Sequence, residues 1–382
     1  MELIAGANFS GRSAALMARL REKGPAFLVG PQAEAALSGL SSTVGDEIEI
    51  YCAPKPARDA FAPLDFAAYA ERKPPTLSGG EQVLLALHCF SRSDYATIGI
   101  DTALEQLDPD NRDRALGYLA QGALQGFSAF LADNRLDPSG MAVHELTGAS
   151  SEFDCDLAAA ARPPACDPMT IRVQGLSFRY PDGRDIFRNA DVMLEPGQAY
   201  RLTGVNGAGK TTFFKLLAGV LAPDGGSIEL DGIPYAPWRI GNRAFAFATQ
   251  NPDHQWCGAT LGEDIARRRR ILARHAINVP SDETLAAQAA CLGVRSMDQH
   301  LYELPLVARK RLSWLWPFSG VMPWVMLDEP TLGQDRATRA ALADAIARLV
   351  ASGYGIVFIT HDDEFAARIT HRPLRIADGT IA

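Results

Sequence analysis

The sequence predicts an α/β protein in two halves, each organised around a parallel sheet. Three observations predict it. Short apolar runs alternate with helical stretches along most of the chain, the pattern of strand–helix–strand units. One frame occurs twice: "PTLSGGE" and "YELPLVA" place Ser78 and Pro305 each 23 residues ahead of an aspartate that closes an apolar strand, Asp101 and Asp328. Between the halves, residues 149–168 ("ASSEFDCDLAAAARPPACDP") are polar, alanine-rich and broken by proline, and read as a linker. The expected organisation is therefore residues 1–148, a linker over 149–168, and residues 169–382.

Taken in order, "MELIAG" reads as a strand, "NFSGRSAALMARLREKG" as a turn and helix, and "PAFLVG" as a strand. After the glycines of "LSGGE", "QVLLALHCF" has helical spacing and "YATIGID" is a strand ending in acid. A helix, "NRDRALGYLAQGAL", and a strand, "GFSAFLAD", complete the first half. The second half starts with strands in "MTIRVQGLSFRY" and "ADVMLEPGQAYRLTG", before a strand–turn–helix that ends in "TFFKLLAGVL". The whole is an internal repeat with a period near two hundred residues, longer than a solenoid repeat.

Bulk properties fit this. A chain of 382 residues with 47% hydrophobic and 21% charged residues is long enough for two cores and too apolar for disorder. A net charge of −8 argues against a nucleic-acid footprint over the whole protein. The six cysteines, Cys52, Cys89, Cys155, Cys166, Cys257 and Cys291, show no CxxC and no paired spacing, as expected for reduced thiols in the cytoplasm. No uninterrupted apolar run reaches the length of a membrane span, and no secretory signal opens the chain. Any work at a membrane would need a partner that crosses it.

The chemistry concentrates in "GVNGAGKTT", Gly204 to Thr212, which fits G-x-x-x-x-G-K-[ST]. It follows the strand "AYRLT" and opens a helix, the context that a phosphate-binding loop requires. Gly204, Asn206, Gly207, Ala208 and Gly209 supply backbone N–H groups, Lys210 reaches the outer phosphates, and Thr211 is a ligand for Mg²⁺, with Thr212 beside it. In "WVMLDEPT", Asp328 closes a strand where its carboxylate can meet the metal, and Glu329 can polarise the attacking water.

Together "GVNGAGKTT", "LSGGE", "MLDEPT" and "FITHD" resemble the ATP-binding cassette (ABC) ATPases over essentially the whole chain. The resemblance implies the P-loop NTPase fold, with ATP and Mg²⁺ as ligands. It also implies two nucleotide-binding domains packed head to tail, each ATP lying between one domain's phosphate loop and the other's LSGG. By that resemblance Tyr180 stacks on adenine, Gln250 touches Mg²⁺ and couples to a partner, and His361 holds the γ-phosphate as a switch. Asp335 takes the inter-domain aspartate position, although Gln334 replaces the leucine usual before it.

The two halves depart from the family in opposite directions. The second puts Pro305, Leu306 and Val307 where serine and two glycines belong, removing an N–H and adding side chains where backbone should approach phosphate. The first keeps Leu77, Ser78, Gly79, Gly80 and Glu81, and an aspartate at Asp108. Its phosphate loop is "GANFSGRS", with Gly6, Gly11 and Ser13 fitting but Arg12 in place of lysine. Thr102 stands where the catalytic glutamate belongs, Asn134 where the histidine belongs, and the strands that would carry an adenine-facing aromatic are absent. The defects are complementary. One composite site joins Lys210, Thr211, Gln250, Asp328, Glu329 and His361 to Ser78, Gly79, Gly80 and Asp108, so the halves are expected to pair within one chain.

"QNPDHQ" followed by "TLGEDIA" is similar to the ATPases of cobalt- and vitamin-type importers of the energy-coupling-factor group. That implies a transmembrane permease as partner, with the chain cytoplasmic or peripheral at the inner face of the membrane. In the first half Pro54 fills the glutamine position and only 23 residues reach Leu77, against 54 from Gln250 to Leu304. A soluble ABC-type ATPase acting on a protein or nucleic-acid partner is the alternative. The basic run "ARRRRILARHA" reads as a solvated face or, alternatively, as a contact for an acidic partner or lipid headgroups, and the tryptophans of "RLSWLWPFSGVMPW" as core and interface.

Overall fold

The structure, a computed structural model, describes residues 1–5, 12–52, 58–133, 136, 141–146, 169–294 and 296–382. The chain divides into two units, Met1–Glu152 and Phe153–Ala382. The stretch expected as the linker lies outside the described residues, as do Gly6, Gly11, Pro54 and Asn134.

The first unit contains, in order, β1 (Glu2–Ala5), α1 (Arg12–Lys23), β2 (Phe27–Val29), α2 (Val44–Tyr51), α3 (Gly79–Arg92), β3 (Thr97–Asp101), α4 (Pro109–Ala120), β4 (Ser128–Ala132) and β5 (Ala142–Glu145). Its sheet runs β2-β3-β4-β1-β5, with every pairing parallel. The central strands are apolar almost throughout because a parallel sheet is covered on both faces. Helix α3 lies in the core, with every residue from Gly80 to Leu87 buried. It starts in a capping box: Ser78 Oγ accepts from the Glu81 N–H at 3.3 Å, and the Glu81 carboxylate accepts from the Ser78 N–H at 2.7 Å.

The second unit opens with strands that form an antiparallel sheet: β6 (Ile171–Arg179) and β7 (Asp185–Leu194), later joined by β9 (Gly225–Leu230) and β10 (Ile233–Pro234) in the order β10-β9-β6-β7. Strand β8 (Ala199–Thr203) leads to α5 (Lys210–Leu217). After α6 (Pro237–Ile240) and β11 (Phe245–Ala248) come α7 (Leu261–Ala273), α8 (Asp282–Cys291), α9 (Leu306–Leu312) and α10 (Leu315–Phe318). The unit ends with β12 (Trp324–Asp328), α11 (Arg336–Ala351), β13 (Gly355–Ile359), α12 (Asp363–Ala367), β14 (Arg372–Ala377) and β15 (Thr380–Ile381). The large sheet runs β11-β12-β13-β8-β14-β15, parallel except for β15. Counting only its own strands, each parallel sheet therefore has the order second-third-fourth-first-fifth, to which the larger sheet adds β15 as a sixth.

Two expectations are corrected. The helix read over "TFFKLLAGVL" stops at Leu217, because Gly219 turns the chain at φ +75, where a Cβ would lie 2.6 Å from the Pro237 backbone. The basic run is not a merely solvated face. Arg267 pairs with Glu263 at 3.6 Å, Arg269 with Asp282 at 2.5 Å, and Arg268 with the fully buried Asp264 at 2.9 Å. Asp264 also accepts from the Trp316 indole N–H at 3.0 Å. Trp314, Trp316 and Trp324 are buried as core. Among the described residues, no helix is long and apolar enough to cross a membrane.

Candidate functional site

In an open parallel sheet, ligands collect at the carboxyl ends of the strands, and residues 204–212, Gln250, Asp328, Glu329 and His361 lie there, while Tyr180 follows β6 of the antiparallel sheet. The loop from β8 into α5 passes close to β7. At Gly209, φ is +110 and a Cβ would sit 2.4 Å from Ile186 Cγ2, so only glycine fits. Helix α5 starts immediately after it, and the first N–H groups of a helix have no partner within it. Such an end attracts anions. The Ala208 N–H closes the loop onto Val205 O at 3.1 Å. Lys210 Nζ donates to Gly204 O at 2.7 Å and Val205 O at 3.3 Å, arching over its own loop. Tyr180 is held beside the helix, its hydroxyl 3.0 Å from Thr212 Oγ1 and the Arg184 guanidinium 5.1 Å from its ring centre.

Thr211 Oγ1 donates to Asp328 Oδ2 at 2.8 Å, which joins the loop to the end of β12. Burial pushes the Asp328 carboxyl above its ordinary range; the bond from Thr211 opposes this, as do Lys310 and Lys210. The next residue, Glu329, is buried in the left-handed region at φ +44, with its N–H bonded to Ile359 O of β13 at 3.0 Å. That conformation costs energy in a non-glycine residue. Here it accompanies a carboxylate facing His361, whose N–H lies 3.4 Å and Nε2 3.6 Å from the Glu329 oxygens. The structure thus brings Lys210, Thr211, Asp328, Glu329 and His361 into one cluster.

Gln250 joins this cluster through a residue that sequence reasoning missed. Lys310 is buried, and its Nζ donates to Thr249 O at 2.7 Å, Gln250 O at 2.9 Å and Asp328 O at 3.1 Å. Burial pushes its ammonium down to about 8, against the pull of Asp328 and Glu329. Its neighbours are engaged as well. Arg309 places two bonds, 2.6 and 2.7 Å, on the Asp253 carboxylate. Arg311 donates to Gln334 at 3.0 Å and Thr338 at 2.6 Å, which gives the unexpected glutamine at 334 a partner. The only signal in the sequence was three consecutive cations directly after the erased signature.

The donor set suits a magnesium nucleotide. Thr211 and Asp328 offer hard oxygens, and no three His, Cys, Asp or Glu side chains cluster as a metal cage among the described residues. Mg²⁺ takes few protein ligands and completes its shell with phosphate and water.

In the first unit, burial raises the Asp101 carboxyl, with the Ser13 hydroxyl bonded to it and the Arg12 guanidinium nearby opposing the rise. Thr102 has the same left-handed backbone as Glu329, φ 55, with its N–H on Ala132 O of β4 at 2.8 Å, but it brings no carboxylate. Ser78 occupies the N-cap of α3, with Gly79 and Gly80 as the first helical residues. Pro305 occupies the N-cap of α9 with a similar backbone and no capping side chain. Asp108 and Asp335 both cap helices, accepting from the Asn111 and Thr338 N–H groups at 2.9 Å.

A model of the ABC transporter family matches residues 187–332. A putative ABC transporter ATP-binding protein of Streptomyces coelicolor is 30% identical over 229 residues, 58% of this chain and 85% of that protein. A second from the same organism is 32% identical over 54% of this chain and 74% of its own length. A putative ABC transporter ATP-binding protein of Bacillus cereus is 29% identical, and the match spans only 38% of that longer protein. Among solved structures, cbiO1 of Clostridium perfringens, titled part of the ABC transporter complex cbiONQ, aligns at 22% identity and a TM-score of 0.45 over 57% of this chain and 88% of its own. On the two Streptomyces relatives, this chain belongs to the family of ABC transporter ATP-binding proteins.

Proposed function

We propose that the chain hydrolyses ATP at one composite site and uses the energy to drive an ABC transporter through a membrane partner, in the manner of energy-coupling-factor importers. The observation that carries the hydrolytic part is the cluster at the ends of β8, β12 and β13, where Thr211 meets Asp328 and Glu329 faces His361. In this reading Lys210 exchanges the carbonyls of Gly204 and Val205 for phosphate oxygens. Tyr180 stacks against adenine. Thr211, Asp328 and the side chain of Gln250 would hold Mg²⁺, and the ion, when bound, would supply positive charge against the phosphates. Glu329 takes a proton from the attacking water, and His361 steadies both that carboxylate and the γ-phosphate.

The composite part rests on complementarity. The shared strand order and the matching left-handed residues Thr102 and Glu329 support two copies of one fold, the first shortened and lacking the carboxylate. Ser78, Gly79 and Gly80 of that copy supply the γ-phosphate contacts that Pro305, Leu306 and Val307 cannot. The permease is the partner that fits the "QNPDHQ" segment, with the chain at the inner face of the membrane. The shortened segment between 54 and 77 favours the second reading, a machine without two matching membrane grips.

Phosphate release and nucleotide retention test the hydrolytic part. Glu329→Gln is expected to lower kcat by about 100-fold or more while retaining one ATP per chain. Undiminished turnover in that variant excludes the assignment of the base. A photo-crosslinker at His254 separates the two readings: capture of a multi-span membrane protein supports the transporter, and capture of soluble proteins alone supports the other.

A further inference from the structure

Helix α9 starts with Pro305, Leu306 and Val307 where α3 starts with Ser78, Gly79 and Gly80, and it carries three consecutive cations, of which Lys310 and Arg311 are buried and Arg309 partly so. Arg309 and Arg311 find side-chain partners on either side. Lys310 has its three Nζ bonds on neutral backbone carbonyls. An ammonium has three protons to donate, and here each has an acceptor. Even so, burying such a charge is costly. An apolar side chain would avoid the cost. In the shared frame the residue five beyond Ser78 is Val83, fully buried in α3. The second unit instead keeps an ammonium, at the junction of two segments. Thr249 and Gln250 follow β11, and Asp328 ends β12. β11 and β12 are paired as far as Ala248 and Leu327, and Lys310 carries the tie beyond that last pair by binding the Gln250 and Asp328 carbonyls with one atom.

We propose that Lys310 is a positioning residue that sets Gln250 and Asp328 at the spacing a magnesium–nucleotide complex requires. Helix α9 thereby serves the hydrolytic site of its own unit after losing its phosphate-facing end. The inference rests on the reading of this cluster as a magnesium–ATP site.

The test uses the full chain, with Lys310→Met, which keeps length and loses the donors, and Lys310→Gln, which keeps two. Affinity for a fluorescent ATP analogue is titrated with EDTA and across Mg²⁺ concentrations, alongside thermal melting and steady-state kinetics. Lys310→Met is expected to bind the metal-free analogue within about twofold of wild type while its Mg²⁺ half-saturation rises about 10- to 100-fold, the range for residues that orient metal ligands. kcat falls with it, and Lys310→Gln recovers part of both. An unchanged Mg²⁺ half-saturation in a folded variant overturns the proposal. So does an equal loss of metal-free affinity and melting temperature, or failure of both variants to fold, since either marks a core contact. If wild type binds Mg²⁺–ATP without turnover, the hydrolytic reading fails while the Mg²⁺ titration still decides the role of Lys310.

Discussion

Gly209 and Lys310 show what a single position can and cannot reveal in a sequence. Gly209 was legible because the phosphate-loop pattern fixes the residues on both sides, and the structure supplies its physical reason: a positive φ and a wall formed by Ile186. Gly209→Ala is expected to cost about 2 kcal/mol or more of stability through strain and overlap together, and to weaken nucleotide binding. Urea unfolding and a nucleotide titration read the two effects, and an alanine variant with wild-type values for both would refute the steric account. Lys310 was not legible. Its partners are backbone carbonyls 18 to 61 residues away, and backbone carbonyls leave no signature in side-chain identity. The left-handed backbone at Thr102 and Glu329 was equally silent, since neither residue type calls for it.

At the level of elements, β1 to β4, β6 to β8, α1, α3, α4 and α5 followed from local pattern, because parallel strands buried on both faces are continuous apolar runs, while α2, α8, β5 and β9 were not read. Boundaries failed where a turn residue overrode helical spacing, as at Gly219. The tryptophan-rich segment was read correctly as core, but the cations of α7 were not assigned partners: Asp264 stands one turn before Arg268 on the same helix, a spacing open to reading, whereas Asp282 meets Arg269 only when α8 packs beside α7. Helix α9 gives a further test. Gln334 stands where the family resemblance expects leucine, and it bonds to Arg311 at 3.0 Å within a buried group. Gln334→Leu, nominally a return to type, is predicted to destabilise the chain by about 1–3 kcal/mol, because a buried guanidinium loses an acceptor. A rise in the urea midpoint would contradict that bond's role.

For the whole molecule, the repeated frame was the strongest signal in the sequence, and the two parallel sheets share one strand order. What the sequence could not reveal is how the second unit manages without a signature of its own. Its helix start survives in shape, with Pro305 in nearly the backbone conformation of Ser78, but the hydroxyl and the glycines are gone. Under the proposed function, LSGGE in one unit and the cluster of Thr211, Asp328, Glu329 and His361 in the other serve the same nucleotide. The most direct test is ATP turnover by the full chain carrying Ser78→Arg, with its unfolding midpoint measured in parallel because Ser78 also caps α3. A single composite site predicts turnover reduced to the level of Glu329→Gln in a chain that remains folded. Turnover at the wild-type rate would mean that the first unit's signature does not serve the second unit's ATP, and would contradict the composite site.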